Sequence, residues 1–213
     1  CYFIVKGNEK VIIARERMCD NKMLVFSKKD SNFTTGFQTY ATVNSKRPDY
    51  TEMIQTLNVK MKKDGSIFIE TPHFNDIPLV IMLRALGIVS DKDIIDYITN
   101  DPNDIQMSNI LRKSLSENIM NGVKESGNDL QIKEQEHAIT ALLTKIKRFK
   151  KLSDTNEETK ELQKRMFIYK TLQEDVLPHL GDNLMNKGIY VAQMVRNMLN
   201  VYLGRTKPDD RDS

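Results

Sequence analysis

Ile77-Pro78-Leu79-Val80-Ile81-Met82-Leu83-Arg84-Ala85-Leu86 carries a single charged side chain. A helix apolar on nearly every side is stable only when buried on nearly every side. The strands before residues 77–86 and the helices after them are therefore expected to pack around this stretch. Asp76 is placed to accept the free N–H groups of its first turn, and Pro78 falls where a missing N–H costs nothing. Gly87 suits the left-handed residue that ends the helix. Ser90 then caps a second helix, with Asp93 in the capping-box position. Arg84, buried with its helix, needs a partner or a path to water.

The period along the chain assigns the rest. Tyr2–Val5 and Lys10–Ala14 are β-rich runs joined by a turn at residues 6–9. Met23–Phe26 reads as a strand, and Phe33–Val43 as one bent at its central glycine. In Met53–Met61 the residues Met53, Leu57, Val59 and Met61 share one face, and Thr56, Asn58, Lys60 and Lys62 the other. A turn at residues 63–66 returns the chain as Ile67–Ile69. From Asp76 the period is helical, over Asp91–Ile98, Pro102–Met120, His137–Leu152, Glu157–Asp175 and Leu184–Leu203. Asn121-Gly122 closes the second of these, and Lys124–Asp129 reads as a linker. The expected fold is α+β: a small antiparallel sheet in the first third, then a helical remainder packed around the buried helix at 77–86.

Two cysteines, Cys1 and Cys19, set no disulfide framework, and three scattered histidines give no zinc spacing. No run approaches the roughly 18 apolar residues of a membrane span, so no membrane partner is expected. Charge is uneven, with twelve Lys and Arg against six acids in residues 1–63. That excess suits a polyanion, or simply a solvated surface. There is no Gly-rich phosphate loop, no G-x-S-x-G and no H-E-x-x-H. Glu136–His137 reads as a surface pair, and His179 as bonding backbone carbonyls past a helix end. Asp209, Asp210 and Asp212 lack the rigidity a Mg²⁺ site needs. Lys145–Lys151 reads as a helix resting Ile146 and Phe149 on the core. Arg15 and Arg17, alternating at a strand end, point to one face and are placed to meet a phosphate backbone.

Three stretches in order carry a resemblance. Tyr2-Phe3-Ile4-Val5-Lys6-Gly7-Asn8-Glu9-Lys10-Val11-Ile12-Ile13-Ala14-Arg15-Glu16-Arg17 is similar to a signature of the second-largest subunit of multisubunit DNA-directed RNA polymerases. Ile77–Ile88 resembles a second signature of that subunit. Leu177-Pro178-His179 and the closing Asp209-Asp210-Arg211-Asp212-Ser213 resemble the segments that follow. Cys1 stands where the family usually has Gly, and Arg15 where Gln is frequent.

The resemblance implies a non-catalytic lobe domain over residues 18–208, with the end of a protrusion-like region at 1–17 and the start of a fork-like region at 209–213. It implies a wall of the DNA cleft and a docking surface for transcription factors, beside the largest subunit and the DNA template. Within that frame Lys10, Arg15 and Arg17 are the residues expected to neutralise phosphate, a contact that positions a duplex without reading its sequence. The fragment itself is expected to hold no cofactor, Mg²⁺ belonging to the whole polymerase and its synthesis of RNA from NTPs. The chain reads as a piece of a longer protein, from the nucleus or, for a large DNA virus, the virion or cytoplasmic factory. The rival readings are a freestanding protein-interaction module and a freestanding nucleic-acid-binding module.

Overall fold

The computed structural model describes residues 2–14, 16–27, 37–48, 53–62, 64–74, 76–101, 103–116, 119–125, 128–147 and 157–210. It opens on a hairpin of β1 (Phe3–Val5) and β2 (Asn8–Lys10). Lys6 and Gly7 form its two-residue turn, both at positive φ (51° and 76°), which matches the twist of the flanking strands. A five-stranded antiparallel meander follows: β3 (Met23–Ser27), β4 (Phe37–Ser45), β5 (Gln55–Lys62), β6 (Ile67–Glu70) and β7 (Ile77–Pro78). Register puts Val25, Ala41, Val59 and Ile69 in one row on the inner face, all buried. The expected face of β5 holds for Leu57, Val59 and Met61. Met53 lies before the pleat begins and is 75% exposed.

Onto this inner face the helices close. α1 (Leu79–Ala85) is buried at all seven positions. α2 (Asp91–Thr99) and α3 (Ile105–Ser116) follow, then α4 (Gln135–Leu143), α5 (Glu157–Lys170) and α6 (Leu184–Tyr202). α1 touches α3, α4, α6, β6 and β7, so it sits where the sheet and the helices meet. On α6 the expected stripe of Val191, Val195 and Met198 is buried, and Tyr202 emerges into solvent. Gly188 brings α6 onto the end of α1, because a Cβ there would stand 3.0 Å from Ile88 Cδ1 and 3.4 Å from Leu86 Cβ. Asn183 caps α6, its side-chain oxygen accepting from Met185 and Asn186 N–H.

Several expectations need correction. Ile77-Pro78 does not start the helix; it pairs with Phe68 and Ile69 as an edge strand, where proline removes no ladder bond. Helix α1 therefore begins at Leu79, Asp76 is exposed, and no side chain caps it. Ser90 is the N-cap of α2 without a side-chain bond. The second run of the opening hairpin stops at Lys10, and residues 11–14 have no regular structure. Helix α3 ends at Ser116, and the helical remainder is interrupted by an antiparallel hairpin, β8 (Ile119–Glu125) and β9 (Asn128–Gln131). Asn121-Gly122, read as a helix end, falls in the irregular stretch between Met120 and Lys124, where glycine tolerates a bulge. Helix α4 stops at Leu143, because Ile146 bridges to Phe74 and Lys147 N–H donates to the His73 carbonyl at 3.0 Å. Expectations for Phe33–Gly36, Pro102 and Phe149 lie outside the described residues.

Arg84 is only 3% exposed. Its Nε donates to the Val89 carbonyl at 3.1 Å, and its Nη2 pairs with the exposed Asp91. The N-terminus of α2 thus supplies the partner that the sequence demanded. Removing the carboxylate strands a buried cation, whereas removing the cation leaves a carboxylate in water. Asp91→Asn is expected to cost about 1–3 kcal/mol, and Arg84→Met less than about 1 kcal/mol. Urea midpoints at constant slope measure both; the reverse ranking would show that the guanidinium needs no counter-charge.

Candidate nucleic-acid interface

The three residues expected to meet phosphate begin on the opening hairpin. Lys10 ends β2 and is exposed. Arg17 lies outside any strand, exposed, with Nη2 donating to Asp20 Oδ2 at 3.0 Å. An exposed pair of this kind is worth little and exchanges readily for another anion. Arg15 lies outside the described residues. Residues 11–14 and 16–19 are not strand, so Arg17 does not lie in the strand expected to carry it. The hairpin also exposes Phe3, Ile4 and Val5, and Val11, Ile12 and Ile13 follow, Ile13 at 81%. Two exposed cations, Lys10 and Arg17, thus stand beside exposed apolar surface.

A second polar cluster gathers where the chain turns from α5 into α6. Helix α5 runs into a π-helical turn, Thr171–Asp175, in which Val176 N–H donates to the Thr171 carbonyl at 3.0 Å. Lys187, fully buried on α6, donates to the carbonyls of Leu172 (3.0 Å) and Gln173 (2.5 Å). It thereby satisfies acceptors that the end of a helix leaves without donors. Burial lowers the Lys187 ammonium to about 8, against the opposing pull of Asp182. Beyond the turn, Leu177 is buried at φ 47°, a conformation that costs a branched side chain free energy. It aims Pro178–Leu180, a 3-10 turn, back at the sheet.

There His179 Nδ1 lies 2.6 Å from Ser45 Oγ, and His179 N–H donates to the same oxygen at 3.2 Å. The partner is thus a hydroxyl on β4, not the carbonyls expected of a residue past a helix end. Burial, and then the charge of Lys187, lower the His179 imidazole. His73 Nε2 stands 3.3 Å from Asp175 Oδ2. Glu136 accepts from Tyr169 (2.8 Å) and Arg165 (3.4 Å), while Nδ1 of its neighbour His137 is buried with no partner among the described residues. Nothing in the sequence pointed to Lys187; a lysine inside an apolar helical stripe is the one signal it offered.

Among the described residues no group of three or more His, Cys, Asp or Glu side chains stands together as a metal site. Asp209, one of the closing acids, accepts from Val25 N–H at 2.7 Å and returns its own N–H to the Val25 carbonyl at 2.8 Å. It pins the tail to the edge of β3. No helix among the described residues is long and apolar enough to cross a membrane.

Compared with known families, residues 20–213 match the model described as RNA polymerase Rpb2, domain 2. The chain belongs to that family. This Rpb2 domain 2 is 32% identical over its full length to DNA-directed RNA polymerase subunit 2 of Acanthamoeba polyphaga mimivirus. It is 34% identical over 99% of its length to DNA-directed RNA polymerase II subunit 2 of Arabidopsis thaliana. It is 32% identical over 99% to DNA-directed RNA polymerase subunit Rpo2 of Sulfolobus acidocaldarius. It spans 18%, 17% and 16% of those three relatives.

Two depressed nitrogen bases, His179 and Lys187, give the stability of this domain a two-sided profile above about pH 5, the lowered carboxyls of Asp64, Glu70 and Asp104 acting only below it. An imidazole lowered in the folded state takes its proton more readily when unfolded, so stability falls as pH drops below about 6.5. A lysine lowered to about 8 makes stability rise from about pH 8 toward 10, until Tyr169 and Tyr190, both raised chiefly by burial, reverse the trend. His179→Gln is expected to flatten the acid limb, and Lys187→Met the alkaline one. Denaturant midpoints across pH 5–10 measure both; limbs that survive the substitutions would assign them to other groups.

Proposed function

We propose that this Rpb2 domain 2 is the lobe of a DNA-directed RNA polymerase second-largest subunit, forming part of the DNA cleft wall and a docking surface for transcription factors. The observation that carries the reading is the match to polymerase second subunits over the whole chain, from eukaryotic, archaeal and viral sources. Residues 1–17 are the end of the protrusion-like region, 18–208 the lobe and 209–213 the start of the fork-like region. The exposed apolar residues of β1 and of 11–13 support this boundary, because a strand pair bare on its apolar side needs further strands or a neighbour to cover it.

The domain contributes shape and charge, not bond-making. Template-directed RNA synthesis from NTPs, and the Mg²⁺ it uses, belong to other parts of the assembly, including the largest subunit. Lys10, Arg15 and Arg17 neutralise phosphates of the DNA that passes the wall. The compartment is the nucleus, or the virion or cytoplasmic factory of a large DNA virus. Charge reversal at Lys10, Arg15 and Arg17 in the assembled enzyme is expected to weaken DNA retention. The log–log salt slope should fall by about 0.9 for each phosphate that is no longer neutralised. Filter retention across a salt series measures it. Unchanged retention would remove these three residues from the interface, and a native polypeptide that co-purifies with no larger subunit would remove the polymerase reading itself.

A further inference from the structure

The outer face of the five-stranded sheet is built differently from a merely solvated one. Register aligns Phe26, Tyr40, Lys60 and Phe68 in one row across β3, β4, β5 and β6. These positions alternate with the buried inner row, so all four side chains lie on the face turned away from the helices. Phe26 is buried, its ring 5.4 Å from that of Tyr40, which it backs. Tyr40 and Phe68 are half-buried, and two strand spacings set them about 10 Å apart with Lys60 between them. Lys62 Nζ sits 3.9 Å from the centroid of the Phe68 ring. Lys60 pairs with Glu70 at 2.5 Å, and the Asn58 amide donates to the same carboxylate at 3.4 Å. Two rows further along the same face, Thr56 donates to Asn44 at 3.0 Å. Aromatic rings, cations and short amides thus share this face, which is buried on its β3 side at Leu24, Phe26 and Thr42 and open at Tyr40, Lys60, Lys62 and Phe68.

We propose that this sheet face binds single-stranded nucleic acid, with Tyr40 and Phe68 as stacking rings and Lys60 and Lys62 against the phosphates. Bases stack on aromatic rings whatever their identity, and lysines follow the backbone between them. An unpaired base is required, because a duplex keeps its flat surfaces inside. Charge complementarity favours this occupant, Lys60, Lys62 and Lys147 outnumbering the carboxylates near them, Glu70 and Asp64. Glu70 opposes it: the carboxylate holds Lys60 and repels phosphate, so a strand must exchange that ion pair for its own and lift Lys62 from the Phe68 ring before a base stacks there. Asn58 and Asn44 are placed to bond base edges. The proposal is independent of the cleft reading, which places Lys10, Arg15 and Arg17 on the opening segment; reversing those charges leaves this face intact, so the two fail separately.

The test uses the full native polypeptide that carries this chain. The probe is a fluorescein-labelled oligothymidylate of about 12 nucleotides, within the usual range for a one-domain site, beside a duplex of the same length. A version of the strand carrying 5-iodouracil reports contact by photo-crosslinking and peptide mapping. The expected adduct is on Tyr40 or Phe68. Phe68→Leu, which keeps the apolar bulk, is expected to weaken binding at least about five-fold. Lys62→Gln should lower the log–log salt slope by about 0.7. Glu70→Gln should tighten binding, a gain that damage to the fold does not produce. Adducts confined to other segments, a duplex bound as tightly as the single strand, or affinity indifferent to all three substitutions would overturn the proposal.

Discussion

Everything in this fold depends on burying one short helix completely. Seven residues are too few to hold a helix in water, where nucleation is unfavourable and shorter segments melt. Helix α1 persists because the sheet lies under it and α3, α4 and α6 close over it. Its burial also sets the terms for its one charge. Arg84 cannot reach water, so the start of α2 must bring Asp91 and the Val89 carbonyl to it. That requirement fixes the sharp turn through Gly87, whose φ of 103° suits only glycine well. The close approach of α6 at Gly188 completes the enclosure, with Leu86 and Ile88 pressed against a helix that has no side chain there.

A second buried cation organises the other end of the helical layer. Lys187 stands inside α6 and donates hydrogen bonds to the carbonyls of Leu172 and Gln173 within the π-helical turn. Such a turn leaves its last acceptors unmatched, and an ammonium held in place supplies what a regular helix would have supplied to itself. The strained Leu177 then redirects the chain so that His179 meets Ser45 on β4. Helix and sheet are joined by a polar contact where the apolar core gives out. Asp209 repeats the device at the sheet's edge, its carboxylate and its N–H both bonded to Val25. Arg205 adds a clamp to Asp104 and Gln106 at the start of α3, so the segment after α6 is held at two places.

The domain accordingly has two kinds of surface. One is the opening segment, apolar and cationic, with Phe3–Val5 and Val11–Ile13 uncovered. The other is the outer face of the sheet, where polar and aromatic residues alternate with the core and bond to one another. Each relative is about six times the length of this chain.

The strands and most helices were legible in the sequence, because periods of two and 3.6 follow directly from burying one face of each element. The face of β5, the stripe of α6, the turn at Lys6-Gly7 and the buried helix at 79–85 all answer to that rule. Family membership was legible too, carried by Tyr2–Arg17, Ile77–Ile88 and Leu177-Pro178-His179. Boundaries were not, wherever a distant segment overrode local preference. Ile77-Pro78 became a strand because Phe68 and Ile69 offered an edge, and α4 stopped early because His73 and Phe74 captured Ile146 and Lys147. The hairpin at 119–131 replaced a helix end and a linker because two short runs found each other. The partners of Arg84, Lys187 and His179, and the row of Phe26, Tyr40, Lys60 and Phe68, were set only by tertiary structure. Sequence period states which side of an element is apolar; it carries no information about which residue of another element arrives opposite, and that choice is made by register and packing across the whole chain.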